Sequence, residues 1–126
     1  MAITADAFIE LKDGQWRARK KRFRTKDVGR HGWSTWHRRA WTFMPQTNMP
    51  EKVFVIERLE RGTPEGVITH AQARVGDIEY RIGYYIVGRI GRANDRWAWR
   101  QFCPLIPAED LEPLLAKARK EGTILS

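Results

Sequence analysis

Alternation of apolar and polar side chains is cleanest in the middle of the chain, where Ile78, Tyr80, Ile82, Tyr84 and Ile86 recur at every second position. Successive strand side chains point to opposite faces, so this spacing predicts a long strand over 78–90. Gly83, Gly88 and Gly91 permit bends or bulges in it. Residues 93–96 read as a hairpin turn, and 97–103 (WAWRQFC) return antiparallel. Upstream, 53–59 (VFVIERL) reads as a strand and 61–66 as a turn. A further strand is expected over 67–75, where Val67, Thr69, Ala71, Ala73 and Val75 oppose Ile68, His70, Gln72 and Arg74.

The period changes after Pro104 and Pro107. Leu111, Leu114, Leu115 and Ala118 lie at i, i+3, i+4 and i+7, the stripe of an amphipathic helix. Asp110 is the expected N-cap, with Pro113 in the first turn, where a missing N–H costs nothing. Lys117, Arg119 and Lys120 suit the negative helix end and Gly122 its close. Residues 123–125 are expected to pack back on the sheet, and the helix to cover the Tyr84 face.

The first 44 residues are less regular. Residues 7–11 read as a short strand closed by the turn-prone Lys12, Asp13 and Gly14. A second short strand is expected from 16 to about 20, then a bend, with a loop over 25–32. Residues 33–45 (WSTWHRRAWTFMP) fit two periods. As a strand, Thr35, His37, Arg39, Trp41 and Phe43 share a side; as a helix, Trp33, Trp36, His37, Ala40, Trp41 and Met44 share a face. Their β-branched and aromatic content favours the strand. Pro45 and Pro50 bracket a loop that marks the clearest internal boundary.

These elements predict an α+β fold: an antiparallel sheet of four to five strands, one C-terminal helix packed on a face, and a basic N-terminal hairpin or arm. The 126 residues are expected to form a single domain, 1–126, with a basic aromatic-rich part over 1–44 and the main sheet and helix over 51–126. Hydrophobic residues make up 42% of the chain, enough for a core. The lone cysteine, Cys103, excludes an internal disulfide. With no signal-like start and no apolar run near the ~20 residues a spanning helix needs, a soluble cytoplasmic protein is expected, with no membrane association.

Charge changes the picture most. Residues 1–44 carry eleven Lys/Arg against four Asp/Glu, a net of +7, whereas 45–126 carry twelve against eleven, a net of +1. Four of the six tryptophans lie in that basic part. Cations neutralise phosphates and exposed indoles stack on bases, so the mixture points to nucleic acid, DNA or RNA, as partner. Six cations crowd positions 17–24: Arg17, Arg19, Lys20, Lys21, Arg22 and Arg24. Arg38 and Arg39 join them as candidate phosphate ligands, and Trp33 or Trp36 as candidate stacking rings. A second cationic-aromatic surface could form on the other side of strand 78–90 from Arg81, Tyr85, Arg89 and Arg100.

Catalytic chemistry is sparse. His37, followed by two arginines, is the candidate catalytic residue of a small, toxin-like, metal-independent ribonuclease. His31 and His70 read as structural. Without HExxH, CxxC or a carboxylate cluster, no metal and no cofactor is expected. Glu57, Glu60, Asp77 and Glu79 read as solvated strand charges. The expected function is therefore non-enzymatic nucleic-acid binding. The alternatives are the ribonuclease and an interaction or inhibitor module for an acidic protein partner.

Overall fold

The computed structural model describes residues 1–19, 21–27, 29–66 and 73–125. Five strands form one antiparallel sheet in chain order: β1 (Arg22–Thr25), β2 (Ser34–Gln46), β3 (Met49–Arg61), β4 (Ile78–Val87) and β5 (Trp97–Arg100). Two helices, α1 (Ala5–Ala18) and α2 (Ala108–Lys120), complete an α+β architecture. The middle strand, β3, explains the layering. Val53 and Val55 join Phe8 and Trp16 of α1 in one apolar cluster, while Phe54 and Ile56 join Leu114 and Ala118 of α2 in another. Since alternate side chains leave a strand on opposite sides, α1 and α2 cover opposite faces. A strand buried on both sides reads as an unbroken apolar run, and 53–56 does.

The N-terminal part departs from expectation. Residues 7–11 are helical, not a strand, and so are 16–18. Thr4 caps the helix by accepting from the Ala7 N–H at 3.2 Å. The apolar positions Ala5, Phe8, Ile9 and Trp16 recur at i, i+3, i+4 and i+11 on one packed stripe. Gly14, which reads as a turn, lies exposed inside the helix. The basic part is thus a helix followed by two sheet strands rather than an added arm. Phe8 stacks on Trp97 at 4.7 Å, whose indole N–H donates to the Ile3 carbonyl.

Strand β2 forms, but with different faces. A register shift between Arg38 and Ala40 sets an extra residue, Arg39, against β3. Such a bulge swaps parity beyond it, so Trp36 and Arg38 share a side with Trp41 and Phe43. Pro45 and Pro50 lie in strands, and Thr47–Asn48 makes a tight hairpin instead of a boundary loop. That hairpin is held by α2: the Thr47 N–H donates to Asp110 at 3.1 Å, and its hydroxyl lies 2.8 Å from the same carboxylate. Asp110 therefore does not cap α2, which starts earlier, after Pro107. Pro113 consequently falls inside the helix instead of its first turn.

Thr123 is buried and its hydroxyl meets that of Thr42 at 2.8 Å; Ile124 packs beside Leu114. Ile78, Tyr80 and Ile82 are more than a third exposed, so α2 covers Tyr84 but not the whole of that face. Strand β4 stops at Val87, short of residue 90, and β5 at Arg100. The expected strand over 67–75 lies outside the described residues for 67–72, and Ala73 onward leads through a turn into β4.

Trp99 of β5 lies across the β4 backbone at Gly83, where an added Cβ would sit 2.2 Å from the indole Cη2. Gly83→Ala is expected to displace the ring and cost about 1–3 kcal/mol of stability, the usual scale for overpacking. Denaturant unfolding measures it; an unchanged midpoint would show that Trp99 does not occupy this position.

Candidate functional site

The carboxylate of Glu57, wholly buried at the middle of β3, organises the α1 side of the sheet. Arg38 of β2 donates to it from Nε at 2.6 Å. Arg81 of β4 donates from Nε at 2.8 Å and from Nη2 at 3.1 Å. Three charges thus meet with a net of +1. Their planar faces are covered by aromatic rings: the Arg38 guanidinium lies 3.8 Å from the Trp16 centroid and 4.8 Å from Phe23. Arg81 lies 4.4 Å from Phe23 and 4.8 Å from Trp99. Guanidinium is weakly hydrated and flat, so it can stack on a ring while its edge bonds a carboxylate.

The same alternation extends outward. Arg61 pairs with Glu79 at 2.7 Å and covers Trp36 at 4.4 Å. Arg24 covers Trp33 at 4.2 Å, with Lys26 at 5.6 Å. Between these stacks lies an open cleft of about 770 Å³. Trp16, Phe23, Trp33, Tyr85 and Trp99 form its aromatic walls, and Arg24, Lys26, Arg38 and Arg81 supply its cations. Burial, reinforced by the negative charge of Glu57, pushes the Tyr85 phenol up to about 12, so it stays neutral and keeps its proton.

On the opposite face, where β1 pairs with β2, lies a groove of about 630 Å³. Arg22 stands across from His37 and Arg24 across from Thr35. Arg39, at the bulge, reaches 3.4 Å from the His37 Nε2 and pairs with Glu60 at 2.7 Å. Desolvation lowers the His37 pKa, and the charges of Arg39 and Arg22 add to this. The hydrogen bond from Arg39 keeps Glu60 below the usual carboxylate range.

The sequence-predicted residues divide between these surfaces. Arg22, Arg24, His37 and Arg39 meet in the groove, whereas Trp33 and Arg38 line the cleft; Arg24 belongs to both. Arg19, Lys21 and Arg22 are exposed, and no described carboxylate pairs with them. Lys20 and His70 lie outside the described residues. Arg17 is on α1, bonded to Asp13 at 2.8 Å. Burial would raise the Asp13 pKa, but hydrogen bonds from Arg17 and Trp41 outweigh it and leave it lowered. Trp36 is buried, its N–H donating to the Thr25 hydroxyl at 2.8 Å. His31 is exposed at the loop before β2.

Arg81 and Tyr85 do share a face, but Arg100 pairs opposite Tyr84 and so lies on the other one. Arg89 bonds Asp95 and Glu51 instead. Sequence reasoning missed Glu57 and Glu79 as partners of buried arginines. The signal was parity, since Glu57 shares its side with Val53 and Val55.

No protein-family model matches the chain, and comparison with curated proteins and with solved structures finds no match. No helix among the described residues is long and apolar enough to cross a membrane.

Two outcomes test this geometry. Glu57→Ala removes the buried carboxylate that both guanidiniums bond and is expected to cost about 3–5 kcal/mol in denaturant unfolding. The triple variant Arg38→Met, Glu57→Leu, Arg81→Met removes all three charges and is expected to lose far less; equal losses would show that charge pairing is not the cause. For His37, the folded pKa lies below the ordinary 6.5, so the unfolded chain takes up the proton first as pH falls. Stability is therefore expected to decline from about pH 7 towards about pH 5, and His37→Asn to reduce that decline. Parallel pH profiles for the two proteins would contradict the shift.

Proposed function

We propose that this protein binds nucleic acid through the cationic end of its sheet and does not cleave it. One observation carries the reading. Arg19, Lys21 and Arg22, at the passage from α1 into β1, are exposed and unpaired with any described carboxylate, and Arg22 lines a groove where Arg24 and Arg39 also emerge. Arg24 and Arg39 each hold one exposed carboxylate, Glu65 at 3.3 Å and Glu60 at 2.7 Å. Exposed pairs of this kind are worth about 0–1 kcal/mol, so a phosphate can displace them at small cost. Phosphates arriving in series reward a row of cations by releasing counterions, which a single acidic side chain does not do.

Binding is preferred over strand cleavage because of what faces His37. An imidazole acting as base needs a partner able to donate a proton to the leaving oxygen. Glu60, opposite His37 on β3, is bonded by Arg39 and held below the usual carboxylate range, so it is ionised near neutrality. The arrangement suits a neutral histidine that hydrogen-bonds a docked phosphate.

Fluorescence anisotropy with a labelled duplex and a labelled single strand, across about 50–200 mM salt, tests the reading. Affinity is expected to fall steeply with salt. Replacing Arg19, Lys21 and Arg22 together by Ala is expected to reduce the log–log slope for duplex DNA by about 2–3. A flat salt response, or no binding to DNA or RNA at low salt, would remove the proposal.

A further inference from the structure

Resting on the nucleic-acid reading, we infer that the aromatic cleft receives an unstacked nucleobase, so that the preferred ligand is a single strand rather than a duplex. The groove and the cleft lie on opposite faces of the sheet, yet both open at the β1 edge, and Arg24 lines both. A strand with its phosphates along Arg22 and Arg24 therefore passes the mouth of the cleft. There it meets Trp33, half-buried, with the Arg24 guanidinium laid over one ring.

The interior suits a base better than an aliphatic ligand. At about 770 Å³ the cleft falls within the range of small-molecule sites. Its walls are flat: Trp33, Trp99 and Phe23 offer partly exposed rings, and guanidiniums lie over them, Arg24 over Trp33 and Arg81 over Phe23 and Trp99. Both kinds of surface stack on bases without regard to sequence. Its floor carries the net positive charge of Arg38, Glu57 and Arg81. Arg81 spends Nε and Nη2 on Glu57, while its Nη1 has no acceptor among the described residues. The Tyr85 phenol keeps its proton at neutral pH. A base presents ring faces to the walls and carbonyl oxygens to such donors. An alkyl chain would leave the donors unsatisfied. A duplex keeps its bases stacked and paired, and so cannot fill the cleft without first extruding one.

The test uses the unmodified protein and three labelled probes of about ten nucleotides: a thymidine or uridine homopolymer, an abasic strand with the same phosphates, and a duplex. The homopolymer is expected to bind about tenfold or more tighter than the abasic strand and to quench tryptophan fluorescence, at the scale of one stacked base. Trp33→Leu is expected to abolish that preference while leaving the salt slope of abasic binding unchanged. Equal, salt-dependent binding of base-bearing and abasic strands would overturn the cleft assignment and leave the phosphate-binding reading standing. Failure to bind any of the three would overturn both. Comparing deoxythymidine with uridine probes tells whether DNA or RNA is the better occupant.

Discussion

A carboxylate at the centre of the middle strand has nowhere to find water, and the architecture on the α1 side follows from its compensation. Glu57 is met from both neighbours in the sheet, by Arg38 on β2 and Arg81 on β4. A one-residue slip of either strand would send its arginine to the opposite face. A single charge thus registers three strands at once. Buried ion pairs of this kind contribute little net stability, because desolvation offsets attraction. Their contribution here is to the choice of arrangement. The guanidiniums then need cover, which comes from Trp16 of α1, Phe23 of β1 and Trp99 of β5. All the elements on that face are tied to one carboxylate.

This way of filling a core leaves a surface unlike an aliphatic one. Near Val53, Val55 and Phe43 the α1 side is close-packed. Towards β1 it passes into stacks of ring and guanidinium, where Trp33 and Trp99 are half-buried and Arg24 is exposed. Flat groups held by flat groups keep their orientation without being enclosed. The result is a rigid, partly open, cationic cleft beside a row of cations that no described carboxylate pairs. Rigidity matters for binding, since side chains already fixed lose little entropy when a ligand arrives.

Much of the sheet was legible from the chain. The double-sided burial of β3, the period-two pattern of β4, the return of β5 and the stripe of α2 all reflect regular spacing of apolar groups. Three features were not. Residues 5–18 carry a helical stripe, but Gly14 and the adjacent Lys12 and Asp13 imitate a turn. The two faces of β2 were misassigned because a bulge leaves no mark in residue type; only its pairing with β3 reveals it. Asp110 looks like a helix cap by position, and its use on the Thr47 hairpin depends on a contact 63 residues distant. The site divides in the same manner. The cations of 17–24 and the indoles were visible as composition, but the division between groove and cleft depends on the face each side chain takes. Glu57 reads as a solvated charge and Arg81 as a surface cation, because nothing local says that two arginines will share one acid.

The irregularity at Arg39 has an evolutionary corollary. His37 and Arg38 look to opposite sides, as strand neighbours do, and because the chain changes parity at Arg39, Arg38 stays on the side of Trp41 and Phe43. Losing that one residue would leave the outer pairings on either flank intact in sequence but make them incompatible in space: either the tryptophans or the buried cation would have to turn outward. Length in this short stretch is therefore constrained more tightly than identity, and an arginine carried on the extra residue is free to vary without disturbing the charge cluster behind it.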